Sequence, residues 1–379
     1  MRITAYSVKE KFKRLDPTLL ICTLVISFFS LLTLWGCRDA TAGGVKRAFV
    51  QLAAVLLGLM CTFVIANLDY ETVVNRLFWA FFAISVLLLV LVLTPLGTGE
   101  GTNKSYFVIP FLPVNLQPSE FVKISFILTF AKHLDLVKAK INHPKYLIGL
   151  LLHAGLIIGL ILLENDLGVA LVYLAITAVM LFGAGLSFWY FLAAIGAAVL
   201  VFPYLWPHLE LYQQKRILYA FKPELDPLDT GWQPIKSKAA IASGGIWGRG
   251  MAEASNYKKI SVEGSYNDFI FGIFGEMFGF VGCIVLLTLY VVMITRIVQI
   301  ARKTRKDMGS FICVGIIGML LAQTIENIGM CLGMLPVIGI TLPFMSYGGS
   351  SMLASYMLLG IVHSIYAQRN KYYFERERG

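Results

Sequence analysis

The residues best suited to chemistry in this chain are ionisable side chains set inside, or at the mouth of, long apolar runs. A charge in that setting costs about 3 kcal/mol or more and is expected to face a cavity or a partner. In "SYNDFIFGIFGEMFGF", residues 265–280, Asp268 opens the run and Glu276 lies two helical turns further in. At a rise of 1.5 Å per residue Glu276 sits about 12 Å deeper. That is too deep for surface chemistry, so it reads as packing or polar support. Asp268 is either a helix cap, as Asn267 beside it also suggests, or a reactive carboxylate. Glu120 and Lys123 are three apart in "LQPSEFVKI" and share one helix face. Pro118 suits a first helical position, which places Glu120 in the first turn, where the helix dipole favours an acid. Asp166 in "LLENDLGVALVYL" could cap a helix, and Glu326–Asn327 in "LAQTIENIGMCLGMLP" could hydrogen-bond across helices. The five histidines are scattered and mark no metal site. The six cysteines show no CxxC or metal-ligand spacing and read as small apolar packing residues.

Membrane helices must position these groups. The chain has 379 residues, 58% hydrophobic and 14% charged, unlike a soluble domain. Apolar runs of about 20 residues recur, each long enough to cross a bilayer. The expectation is an all-α polytopic membrane protein, one membrane domain over 1–379. Its roughly ten transmembrane helices are placed at 17–36, 47–66, 77–95, 118–134, 146–164, 167–184, 187–206, 269–294, 311–334 and 344–367. The first run follows Lys11, Lys13 and Arg14 as a signal peptide would. Its length and the lack of an A-x-A site predict an uncleaved span. Gly275 and Gly279 form a GxxxG pair that predicts close packing of another helix.

The net charge of +10 is distributed asymmetrically. With the N-terminus inside, 19 of the 32 lysines and arginines fall on cytoplasmic segments, and the short outer loops hold only Arg38, Lys46, Arg47 and Lys104. That is the positive-inside pattern, so the basic excess argues for a membrane orientation, with both termini cytoplasmic, and against a nucleic-acid partner. A long extracytoplasmic loop, about 207–268, separates helices 7 and 8. Within it Pro234 predicts a short helix ending at Gly244–Gly245. Glycines 244, 245, 248 and 250 predict a flexible turn where backbone could approach a ligand.

The run "NIGMCLGMLPVIGITLPFMSYGGSS", 327–351, closely resembles the signature of the SEDS proteins (shape, elongation, division and sporulation), the group of RodA, FtsW and SpoVE. Asn327, Gly333, Pro336, Gly339, Pro343 and the SYGGSS run stand at the family's spacing. "QPSEFVK" at 117–123, "NDLGVA" at 165–170, "WQPIKSKAAIASGG" at 232–245 and "NDFIFGIFGEMFGFVG" at 267–282 follow in the family's order, so the resemblance covers nearly the whole chain. "ENIGM" at 326–330 is more similar to the RodA branch. Two departures stand out. "VEGSYND" replaces the usual Pro-Glu-x-His-Thr-Asp, with Tyr266 and Asn267 for His and Thr. Glu164-Asn165-Asp166 replaces Gln-Pro-Asp.

The resemblance implies an inverting glycosyltransferase that joins lipid II, an undecaprenyl-pyrophosphate disaccharide-peptide, into peptidoglycan strands. The work is expected at the outer face of the bacterial cytoplasmic membrane, for cell elongation and shape, with a class B penicillin-binding protein as partner. Asp268 matches the family's catalytic aspartate. Glu120, Lys123, Asp166, Ser243, Gly244 and Ser346 fall in the matching blocks and are the expected substrate-binding residues. The acceptor is a sugar hydroxyl, a weak nucleophile that a positioned carboxylate can activate. The donor leaves as a pyrophosphate and needs positive charge beside it. Lys123 and Arg216 are the expected cations, and a divalent ion such as Mg2+ or Mn2+ could assist; no other cofactor is expected. The main alternative is a lipid-linked saccharide flippase. It would need polar groups through the whole bilayer, whereas the inner halves of the helices read as almost purely apolar. A third reading, a scaffold for wall enzymes, would make the charged sites structural.

Overall fold

The computed structural model describes residues 14–38, 43–99, 104–108, 115–209, 214–215, 218, 231–253 and 265–376. Arg216 and most of the 207–268 segment lie outside the described residues. Eleven helices of more than one turn carry the fold among the described residues: α1 (Pro17–Gly36), α2 (Gly44–Ala66), α3 (Tyr70–Leu93), α4 (Pro118–Val137), α5 (Pro144–Leu163), α6 (Leu167–Gly183), α7 (Phe188–Leu205), α8 (Trp232–Gly244), α9 (Ile270–Lys303), α10 (Asp307–Cys331) and α11 (Gly349–Arg376). Ten of them correspond to the ten predicted spans; α8 is the short helix predicted from Pro234. No β-strand occurs among the described residues, only isolated bridges between Thr98 and Tyr106 and between Phe107 and Leu116.

Seven helices are long and apolar enough to cross a membrane, and α6 and α7 are shorter apolar helices. The remaining span, α4, carries Glu120, Lys123, Lys132 and Asp135, and it is buried in the bundle where those charges find partners. α1 starts at the predicted position 17, but α3 starts at Tyr70 rather than at the predicted 77, and α9 runs on to Lys303 rather than ending at 294. Pro17 follows the Asp16 N-cap, whose side chain accepts from the Leu19 N–H, and Asp69 caps α3 by accepting from Glu71 and Thr72.

Small residues set the closest helix contacts. Tyr356 of α11 lies on Gly58 of α2, and Gly360 of α11 meets Thr62 and Ile65 of α2. Gly315 and Gly318 let α10 approach Ile127 of α4 and Ile176 and Val179 of α6. By contrast α7 has no buried residue over 188–204 and stands at the periphery.

The far half of the bundle, away from Asp268, is less apolar than its sequence suggests. Asp16 is fully buried and pairs with Arg296 through Nη2 at 2.7 Å and Nε at 2.9 Å. Its backbone N–H donates to His363 Nδ1 at 3.0 Å, so α1, α9 and α11 are tied together there. His133 and His153 bring their Nδ1 atoms to 3.2 Å, with Thr129 on the other side of His153. These groups are knotted locally into two separate clusters, one around Asp16 and one around His153.

Candidate functional site

The starts of α2, α4, α6, α9 and α11 and the end of α10 meet at one end of the bundle. What joins them is residues 332–348. The sequence predicts helices reaching Met334 and restarting at 344, but α10 ends at Cys331 and α11 begins at Gly349. Pro336 and Pro343 offer no N–H, and Gly333 and Gly339 take φ of 63° and 72°, so the helix cannot run through. Non-helical backbone inside a bundle needs protein partners, and several are supplied. Asn327 Nδ2 donates to the Ile340 carbonyl at 2.7 Å. Ser346 Oγ accepts from the Leu342 N–H at 2.8 Å, and Gln51 Nε2 donates to the Ser346 carbonyl at 2.9 Å. Tyr290 OH donates to the Pro343 carbonyl.

Asp268 ends a single helical turn, Ser265–Asp268, directly before α9. The capping reading does not hold for it: the N-cap of α9 is Phe269, with φ −105° and ψ 23° and no side-chain cap bond. The backbone of Asp268 is instead gripped from α10, where Asn327 Nδ2 donates to its carbonyl at 2.7 Å. Its half-buried carboxylate faces the loop. A Cβ placed on Gly339 would stand 3.4 Å from Asp268 Oδ2.

On the neighbouring wall, Lys123 Nζ and Glu120 Oε2 pair at 3.0 Å, with side chains only 1% and 6% exposed. Asp166 is the N-cap of α6, accepting from the Val169 N–H at 3.0 Å through Oδ1, and its Oδ2 accepts from Gln117 Nε2 at 3.4 Å. The capping reading of Asp166 therefore holds, and the link to α4 is added to it. The 332–351 run reaches this wall as well. Ser350 Oγ accepts from the Gln117 N–H at 3.2 Å and donates to the Asn115 carbonyl at 3.1 Å. Gly168 of α6 lies against the Ile338 carbonyl, where a larger residue would collide. In the hairpin between α5 and α6, Asn165 takes φ 60°. Burial, with Asp166 adding, pushes the Glu164 carboxyl up to about 8. Burial also raises Asp166, against the pull of the Val169 N–H.

The glycine-rich turn after α8 is docked onto α9. That helix breaks at Gly279, where φ 64° and ψ −166° suit only glycine. The N–H groups freed by the break donate to the turn: Phe280 to the Gly245 carbonyl at 2.9 Å and Val281 to Ile246 at 3.1 Å. Arg249 N–H donates back to the Glu276 carbonyl at 3.0 Å. The GxxxG pair thus packs against α8 and its turn, with Gly244 lying against the Gly275 carbonyl. Glu276 is fully buried there. Ser243 Oγ donates to the Ala240 carbonyl at 2.8 Å, and its own carbonyl accepts from Arg249 Nε at 2.9 Å. Ser237 Oγ donates to the Cys331 carbonyl at 2.9 Å, which fixes α8 against the end of α10.

Asp268, Glu120, Lys123, Asp166 and Ser346 are therefore gathered around one loop, and Ser243 and Gly244 lie on the α8 side of it. The sequence reading missed Arg47, Gln51, Lys238 and Ser350. Arg47 Cζ lies 4.1 Å from the Tyr266 ring centroid, and the Lys238 side chain crosses Gly333. Arg47 and Gln51 are four apart on α2, a spacing that could have flagged them as one face. Among the described residues no three His, Cys, Asp or Glu side chains stand together as a metal-ligand set.

Known proteins resemble the chain over nearly its whole length. Residues 13–371 match the family profile of FtsW, RodA and SpoVE, described as "Cell cycle protein". The chain is 35% identical to stage V sporulation protein E of Bacillus subtilis over 363 residues, 92% of this chain and 94% of the relative. It is 32% identical to the probable peptidoglycan glycosyltransferase FtsW of Trichlorobacter lovleyi, covering 93% of each. It is 31% identical to the peptidoglycan glycosyltransferase MrdB of Escherichia coli, covering 94% of each. A chain from a peptidoglycan synthase complex that coordinates polymerization and crosslinking superposes with a TM-score of 0.80 at 31% identity, over 94% of this chain and 99% of that one. The rod shape determining protein RodA of Thermus thermophilus gives 0.69 at 27% identity, over 94% and 98%.

Proposed function

The chain belongs to the FtsW, RodA and SpoVE family of cell cycle proteins, and from that premise we propose that it is a peptidoglycan glycosyltransferase. It polymerises lipid II at the outer face of the cytoplasmic membrane, with the Asp268 end of the bundle outward and both termini inside. The observation that carries the reading is the 332–351 run. One stretch of backbone passes Asp268 at Gly339, is held by Asn327 together with the Asp268 carbonyl, and binds the start of α4 through Ser350. An aspartate whose backbone is held from another helix, with its carboxylate beside the loop, suits a reaction in which geometry sets the rate.

Asp268 takes the proton of the acceptor sugar hydroxyl as that oxygen attacks the donor's anomeric carbon. The bond to the lipid pyrophosphate breaks on the opposite side, so an α-linked donor becomes a β-linked polymer. Pyrophosphate is a good leaving group, and a second acidic carboxyl of the glycosidase kind is not needed. The prenyl tail stays in the bilayer while the sugars lie at the surface. The Glu120–Lys123 pair and Asp166 form the neighbouring wall, reached by the same 332–351 run. A class B penicillin-binding protein as partner, receiving strands for crosslinking, is part of the proposal. The relative from a synthase complex supports it.

The narrower assignment to cell elongation rests on Glu326–Met330. FtsW relatives match as well as MrdB does, so the reading is set at strand polymerisation, and the transpeptidase that co-purifies decides between elongation and division. A flippase is disfavoured because the polar groups of the far half close on one another.

The test is polymer formation from lipid II by the purified protein with its partner. Asp268→Asn keeps the shape and removes the basicity, and it is expected to lower the rate at least about a hundredfold without unfolding the protein. Near-normal strands from that variant would refute the assignment.

A further inference from the structure

Resting on the polymerase reading, we infer that Glu164 is a positioning residue of the site. Uncharged, it holds the hairpin between α5 and α6 against the start of α4; on ionising, it releases that hairpin and stops the reaction. The neighbouring acids have contacts that explain their burial. Glu120 is paired with Lys123, and Asp166 caps α6 while accepting from Gln117. Glu164 is 1% exposed, and among the described residues its Oε1 is buried with no hydrogen-bond partner. A charge there is both dehydrated and unpaired, so the proton stays on. With its carboxyl raised to about 8, the residue is mostly neutral at pH 7 and ionises just above it.

The hairpin is built around this residue. Glu164 closes α5, its N–H donating to the Leu160 and Ile161 carbonyls at 3.3 and 3.1 Å. Asn165 then turns the chain at φ 60°, a value closed to proline, whose ring holds φ near about −65°. Glu164-Asn165 therefore replaces the family's usual Gln-Pro as a unit. The turn is left-handed, and the carboxyl before it matches a glutamine in size and neutrality only while protonated. From α6, the titratable groups near Glu164 are Asp166 and Tyr173. From α4, Glu120 and Lys123 act on Asp166, and Lys123, the one cation of this set, is committed to Glu120. α3, which also packs on α5, has no titratable side chain from Leu77 to Leu93.

An ionised Glu164 has to reach water, and it is repelled by the carboxylate of Asp166 two residues away. Turning it outward pulls on the bond between Asp166 Oδ2 and Gln117 Nε2. The Gln117 N–H donates in turn to Ser350 Oγ, and Ser350 belongs to the run that passes Asp268 at Gly339. The start of α4 thus joins the hairpin to the loop beside the catalytic acid. Glu164 touches neither the acid nor the loop itself, and acts through Asp166 and Gln117.

The test is the pH profile of strand formation from lipid II by the purified full-length protein with its partner, at a temperature where each variant stays folded. The acid limb belongs to the base Asp268 and is common to all variants. A group with a pKa of about 8 is roughly nine-tenths ionised one pH unit above it, so the wild-type rate should fall about tenfold between pH 7 and pH 9. Glu164→Gln and Glu164→Met, which cannot ionise, should each remove that fall; if one of them does not fold, the other carries the test. Hydrogen exchange supplies a readout apart from the reaction. At pH 9 the Val169 amide and the first turn of α4 should exchange faster in the wild type than in Glu164→Gln, and at pH 6.5 equally. Parallel rate profiles for the wild type and the variants, or equal exchange at pH 9, overturn the inference. Failure of the polymerase reading shows differently, as absence of strands at every pH, and the exchange comparison then still decides whether the hairpin opens.

Discussion

Gly339 runs past the carboxylate of Asp268 with φ 72°, and a Cβ on it would stand 3.4 Å from Oδ2. The two residues come from different helical connections, and glycine is required there by the left-handed backbone, since a Cβ would only reach ordinary contact with the acid. Gly339→Ala should cost about 1–2 kcal/mol in backbone strain and place a methyl group in contact with the acid. Polymerisation is expected to drop at least about tenfold while the unfolding temperature falls by only a few degrees. Strand synthesis at the wild-type rate in a folded Gly339→Ala protein would show that the passage beside Asp268 is not functional.

Lys123 and Glu120 are buried at 3.0 Å, and losing one strands the other in a low-dielectric site. Glu120→Gln or Lys123→Met alone should destabilise by about 3–5 kcal/mol. The double variant removes both charges and should recover much of that stability. If the pair serves the reaction, activity will not return with it. Stability and polymerisation recovering together in the double variant would reduce the pair to a structural element.

Glu164 lies in the hairpin outside both flanking spans, and burial raises its carboxyl from an ordinary 4.5 to about 8. A raised acid favours the folded state while protonated. Its contribution is therefore full below about 4.5 and is lost as pH rises toward 8, where the proton must leave a buried site. Glu164→Gln should match the wild type near pH 5 and unfold at a higher temperature at pH 8.5. Parallel unfolding temperatures for the two proteins across that range would contradict the burial account.

Much of the architecture was legible because lipid imposes a local rule. A span needs about 20 apolar residues and satisfied backbone, so helix existence and many helix ends follow from composition, proline and capping residues. Asp166 capping α6 and Pro118 opening α4 were readable in this way. The motif blocks identified Asp268, Glu120 and Lys123 as a set, and Glu120 and Lys123 needed only helical spacing to be paired.

The pairing of distant segments was not local and could not be read. Phe269 rather than Asp268 is the N-cap of α9, and Asn327, from another helix, holds the Asp268 carbonyl. The predicted spans 311–334 and 344–367 overran because hydropathy does not register two prolines and two left-handed glycines turning the chain inside protein. The turn at 244–250 looked free, yet its carbonyls complete the hydrogen bonds of a helix broken at Gly279, a match visible only when both backbones are placed. Arg47 looked like an outer-loop cation until α2 packed it over Tyr266. By itself the sequence determined which residues were costly to bury and that membrane helices had to carry them. Which of them face one another was decided by tertiary packing, because hydrogen bonds and ring contacts act over a few ångströms and are blind to distance along the chain.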